Sequence, residues 1–136
     1  NSVPIAARLA AMRSVSLQLL GGRVRGLTQA AVGESVLRTL DALRVDIAFI
    51  GTNGISVRHG LSTPDSDEAA VKRAMVRSAD YVVVVADSSK IGREEFISFA
   101  PIDSVDALVT DAEISADDRT RLTERGVEVV VAGGHS

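Results

Sequence analysis

The sequence predicts an α/β protein of the three-layer αβα kind, a mostly parallel sheet covered by helices on both sides. Two observations carry this. Strand-like apolar runs alternate with helical stretches along the chain. Several of those runs are mostly apolar instead of strictly alternating, as at residues 45–51 (VDIAFIG), 81–86 (YVVVVA) and 127–132 (VEVVVA). Continuous apolar strands are buried on both faces, which parallel sheets with helical crossovers achieve.

Taken in order, residues 4–12 (PIAARLAAM) read as a short helix, with Pro4 in the first turn and Ser2 as its cap. Residues 15–20 (VSLQLL) read as a strand ending at Gly21-Gly22. Residues 31–43 place Val32, Val36, Leu37, Leu40 and Leu43 on one helical face, with Gly33 weakening the first turn. A strand follows at 45–51 and closes in Gly-Thr-Asn-Gly. Residues 65–79 form a helix capped by Asp65, with Glu68 three residues on in a variant of the capping box. The valine strand at 81–86 comes next, then a short strand at 95–100 and another at 106–111. Ser115 caps a helix that runs to about Arg125 and stops at Gly126, and residues 127–132 are the last strand. The closing Gly-Gly-His-Ser reads as a frayed end.

A chain of 136 residues suits one domain, spanning 1–136, and buries enough surface to need no staple. Cysteine is absent, which excludes disulfides and thiolate metal sites and suits a reducing compartment. The net charge of −3 argues against a free-standing nucleic-acid binder. No apolar run approaches the roughly 20 residues that span a bilayer, and no signal peptide is visible. The first residue is Asn1 and not Met, so the chain is expected to be a fragment.

Ligands of open α/β sheets sit outside the carboxyl ends of the strands. Four polar corners fall there: Gly21-Gly22-Arg23-Val24-Arg25, Gly51-Thr52-Asn53-Gly54, Asp87-Ser88-Ser89-Lys90 and Thr110-Asp111. In parallel strands all four open on one rim. Glycines admit close backbone approach and anion-binding nests. Arg23, Arg25 and Lys90 supply positive charge, and Asn53, Thr52, Ser88 and Ser89 supply bonds to hydroxyls. Asp87 holds Lys90 or accepts from a hydroxyl. Such a rim suits a small, anionic, hydroxylated ligand. Each corner also has a plainer reading. Gly-Gly and Asn-Gly are common turns, Asp-Ser-Ser-Lys is a hydrophilic turn with a cap, Glu68 supports a helix start, His59 is an exposed loop residue and His135 an idle tail residue. Metal-ligand spacings, the GxGxxG fingerprint, the Walker A loop and the GxSxG elbow are all missing, so no metal, nucleotide cofactor or catalytic serine is expected.

The ordered succession "GGRVRGLTQAAVGESVLRTLDALRVDIAFIGTNGIS", "GLSTPDSDEAAVKRAMVRSADYVVVVADSSKIGR" and "ALVTD" resembles the C-terminal effector domain of DeoR-type bacterial transcriptional regulators, over nearly the whole chain. The resemblance implies a cytoplasmic sensor domain for a phosphorylated sugar or related metabolite, oligomeric and non-catalytic, without a cofactor. Its fold would be similar to ribose-5-phosphate isomerase. In such regulators a separate N-terminal winged helix-turn-helix binds operator DNA. The positions matching the family's motifs are Gly22, Arg23, Gly51, Asn53, Gly54, Glu68, Asp87 and Lys90. Asn1-Ser2 resembles the end of the family's Thr-Asn-Ser loop. The Asp-Ser-Gly-Thr-Thr loop that precedes it in the family has no counterpart, nor has the strand leading into that loop. The resemblance therefore implies a truncated sheet, a weakened anion site and an edge able to pair with another copy. Two rival readings stand beside it: a sugar-phosphate isomerase built on Glu68, Asp87 and Lys90, and a ligand-free oligomerisation domain.

Overall fold

The computed structural model describes residues 1–133; His135 lies outside them. The described chain forms two compact units, Asn1–Leu43 and Arg44 onward.

The first unit opens with α1 (Val3–Ala10), whose cap Ser2 accepts from the Ile5 N–H at 3.3 Å. Residues 15–20 are not a strand: among the described residues they pair with no neighbouring strand, and Val15, Leu17 and Leu19 are exposed. A strand persists only where its N–H and C=O groups find partners. The pairing here falls instead to β1 (Arg23–Val24) and β2 (Ala31–Val32), an antiparallel ribbon in which Arg23 opposes Val32. Helix α2 is therefore shorter than its apolar spacing predicts. It spans Glu34–Asp41, because Ala31 and Val32 belong to the ribbon and Gly33, at φ 106°, turns the chain between them. Val36 and Leu40, one turn apart, bury its inner face.

The second unit holds a four-stranded, wholly parallel sheet in the order β3 (Val45–Ile50), β6 (Ala79–Val85), β8 (Ala107–Thr110), β9 (Glu128–Val131). With its flanking helices it has the expected three-layer α/β type. Between β3 and β6 run β4 (Gly54–Ser56), β5 (Gly60–Thr63) and α3 (Ser66–Ser78). The strands β4 and β5 escaped the sequence reading. Together with β7 (Ile97–Ala100) they form a separate antiparallel sheet, in the order β4-β5-β7. Asp65 caps α3 by accepting from the Glu68 N–H at 2.8 Å, and Ser115 caps α4 (Ala116–Glu124) through Asp118 N–H at 3.1 Å.

One face of the parallel sheet is the core. Ala48, Ile50, Val82, Val84 and Leu108 pack there with Ala69 of α3, Leu122 of α4, and Ile55, Leu61 and Phe99 of the small sheet. Full burial of each Val, Leu or Ile contributes about 1.5–3 kcal/mol, so this face dominates the unit's stability. The alternate residues Ile47, Phe49, Tyr81, Val85 and Val130 point the other way and remain more than a third exposed.

Candidate functional site

The carboxyl ends of the parallel strands frame a cleft of about 540 Å³. Gly51 and Thr52 reach it from β3, Val85, Asp87 and Lys90 from β6, Thr110 and Asp111 from β8, and Ala132 from β9. The valines of β6 explain why Asp87 and Lys90 stand where they do. Val82 and Val84 are locked into the core, and the chain leaves the sheet at Ala86 into a single 3₁₀ turn, Ser88–Lys90. A rigid strand thus aims a short polar turn at the cleft.

Two carboxylates are fixed by neighbouring donors. Asp87 accepts from the N–H of Ser89 at 2.9 Å and from the Ser89 hydroxyl. That hydroxyl, then the Ser89 N–H, hold its carboxyl below the ordinary range, with a smaller contribution from Lys90. Asp111 accepts from the Ser88 N–H and from the Glu113 N–H, each at 2.9 Å, and its carboxyl is likewise depressed, chiefly by the Ser88 N–H. Both are ionised at neutral pH. The ammonium of Lys90 lies 3.7 Å from Asp87. Lys90 is the one cationic side chain among the described residues lining the cleft.

The two threonines differ. Thr52 donates to the carbonyl of Gly54 at 2.8 Å and lies 3.1 Å from that of Ser62, so its hydroxyl is engaged within the fold. Thr110 is 3% exposed, and its hydroxyl oxygen has no hydrogen-bond partner. Buried polar atoms of this kind are rare. Thr110 belonged to one of the four corners but was not singled out, because burial without a partner has no signature in sequence. Chemically, the cleft offers two carboxylates that accept from hydroxyl donors and one ammonium that can meet a negative group, with the Thr110 hydroxyl buried in its wall. Among the described residues no group of three or more His, Asp or Glu could hold a metal ion.

The other residues singled out from the sequence sit elsewhere. Asn53 is exposed, gives its backbone N–H to Ser62 at 3.1 Å, and does not line the cleft. Gly54 is buried in β4; a Cβ there would stand 2.5 Å from the Arg93 carbonyl and 2.7 Å from the Ser62 hydroxyl, so close packing explains the glycine. Glu68 is buried at the start of α3, outside the cleft lining; burial holds the Lys72 ammonium below its ordinary pKa, and Glu68 opposes that shift only in part. Gly22 and Arg23 belong to the first unit, Arg23 in the ribbon and Gly22 just before it, and not to the end of a strand of the parallel sheet. A Cβ on Gly22 would meet the Val32 carbonyl and the Val36 side chain, each at 2.6 Å. His59 is half-buried, with Nε2 2.7 Å from the Glu95 carbonyl, and so is not the exposed loop residue expected.

Comparison with known proteins agrees with this architecture. The family model described as the DeoR C terminal sensor domain matches residues 1–112. The HTH-type transcriptional regulator GlpR of Haloferax volcanii is 41% identical over 114 residues, 84% of this chain and 45% of that protein. The HTH-type transcriptional repressor GlcR of Bacillus subtilis is 34% identical over 96% of this chain and 50% of its own length. The glycerol-3-phosphate regulon repressor of Escherichia coli K12 is 29% identical over 95% of this chain and 51% of its own. The chain spans about half the length of the curated relatives it matches. With a family model covering most of its residues and a parallel sheet that opens a polar cleft at its strand ends, this chain belongs to the family of DeoR C-terminal sensor domains.

Proposed function

We propose that this chain is the ligand-sensing part of a cytoplasmic, homo-oligomeric transcriptional regulator of sugar metabolism, and that the strand-end cleft binds a phosphorylated sugar or related metabolite. The single observation that carries the reading is the cleft itself, where Asp87, Lys90, Asp111 and the unpartnered Thr110 hydroxyl meet. Sugar hydroxyls donate to Asp87 and Asp111, the phosphate meets Lys90, and the Thr110 hydroxyl completes the set. Operator DNA is bound by a different region of the regulator, as the helix-turn-helix names of the relatives suggest. A ligand alters DNA affinity only by binding two conformations unequally.

The proposed role is binding without turnover. Glu68, the carboxylate an isomerase reading would use as its base, is buried outside the cleft, and proton abstraction needs a base within hydrogen-bond reach of the substrate. Calorimetric titration with a panel of sugar phosphates tests the reading. At least one should bind, and Lys90→Ala should weaken it about tenfold, as loss of a charge-assisted contact does. Absence of heat with every sugar phosphate, or turnover of ribose 5-phosphate in a coupled assay, overturns it.

A further inference from the structure

A second concavity, of about 460 Å³, lies between the C-terminal half of α3, the turn joining β4 to β5, and the segment that follows β7. It shares no residue with the strand-end cleft. Its charge is one-sided: Arg58, Arg73, Arg77 and Arg125 line it, against the single carboxylate of Asp103. This concentration occurs in a chain of net charge −3.

Part of the charge has a local explanation. Arg58 pairs with Glu94, and Arg125 pairs with Asp103 at 3.1 Å. Arg77, in the last turn of α3, opposes the negative end of the helix dipole. Arg73 gives one hydrogen bond to the Ser98 carbonyl at 3.0 Å. A remainder is left. Arg73 and Arg77 stand one turn apart, where like charges repel, so the pair as such does not favour the helix. Neither has an ion-pair partner among the described residues. A guanidinium carries five N–H donors, so Arg73 keeps most of its own.

The backbone shows that the groove is built. Gly60 has φ 74°, and a Cβ there would stand 2.1 Å from the Ala100 carbonyl. Only glycine lets the β4–β5 turn, which carries Arg58, lie this close to the end of β7. The floor is apolar, with Phe99 3% and Ile102 2% exposed. Guanidinium forks match phosphate oxygens in pairs, and the apolar floor suits a small organic body.

We propose that this groove is a second binding site, for the phosphate groups of a small phosphorylated molecule. Its volume falls within the range of about 300–1,000 Å³ of small-molecule pockets. A nucleic-acid duplex, by contrast, presents its phosphates on a convex rod and calls for an open basic stripe. The site stands independently of the strand-end cleft, and its test does not pass through that cleft.

The test titrates the chain with pyrophosphate by calorimetry and follows its thermal midpoint, with sodium chloride at matched ionic strength as reference. Saturable heat and a midpoint rise beyond that of chloride are expected. Arg77→Gln and Arg58→Gln, both at exposed positions, should each weaken pyrophosphate about tenfold. Arg119→Gln, exposed and outside the groove, removes the same charge and should leave the isotherm unchanged. Equal losses in all three variants, or a chloride response matching pyrophosphate, overturn the site. A fluorescently labelled DNA duplex separates the two sources of phosphate. If the duplex binds in an Arg77-dependent way and pyrophosphate does not, the small-molecule assignment is wrong.

Discussion

The Thr110→Val substitution should stabilise the protein while weakening its ligand. The Thr110 hydroxyl is buried at the end of β8, on the core-facing side with Leu108, and has no partner. A buried polar group left unsatisfied costs about 1–3 kcal/mol. Valine replaces the hydroxyl by a methyl group of nearly the same shape, so the cost is removed without a cavity. A gain of about 1 kcal/mol is the lower end of that range, and in a chain of this size it raises the thermal midpoint by roughly 3–6 °C. Urea denaturation with an unchanged m-value measures it directly. The same variant removes a donor from the cleft, so the sugar phosphate found by titration should bind about tenfold more weakly. Thr110→Ser supplies the mirror image: it keeps the hydroxyl and deletes a buried methyl, so stability should fall by about 1 kcal/mol while binding survives. If Thr110→Val instead lowers stability by more than about 1 kcal/mol, the hydroxyl is bonded within the fold, and its assignment to the ligand is refuted.

Other outcomes follow from the same coordinates. Gly60→Ala forces a side chain onto the Ala100 carbonyl at a positive φ, and should cost at least about 2 kcal/mol in urea denaturation. Asp65→Ala removes the α3 cap and should cost about 1 kcal/mol, most of which Asp65→Asn restores, since both side chains accept from the Glu68 N–H. Glu94, held by Arg58 and Ser56, titrates at about 2 instead of 4.5. Its folded value is depressed, so its contribution is complete above 4.5 and disappears as the pH falls towards 2. The urea midpoint of Glu94→Gln should therefore vary less than that of the wild type across this window, and identical slopes would remove the pairing as a source of acid sensitivity.

What the sequence determined by itself is the part governed by local chemistry and by continuous apolar runs. The strands at 45–50, 79–85, 107–110 and 128–131 were legible because each is a short, mostly apolar run, although only one face of the sheet packs into the core. The caps Ser2, Asp65 and Ser115 were legible because a cap is a contact between residues three apart. The resemblance to DeoR sensor domains rested on the order of motifs and needed no coordinates. Tertiary structure alone decided what depends on distant partners. VSLQLL reads as a strand, but among the described residues no strand pairs with it, whereas Ala31-Val32 reads as helix and becomes a strand because Arg23-Val24 lies beside it. Burial around Arg93 and Ser62 makes Gly54 a packing glycine, and the same kind of non-local fact leaves Thr110 without a bond. The arginines of the groove come from positions 58, 73, 77 and 125, and only the folding of a small sheet against α3 brings them to one place. Hydrogen-bond satisfaction and charge clustering are sums over neighbours in space, and the linear order of residues does not contain them.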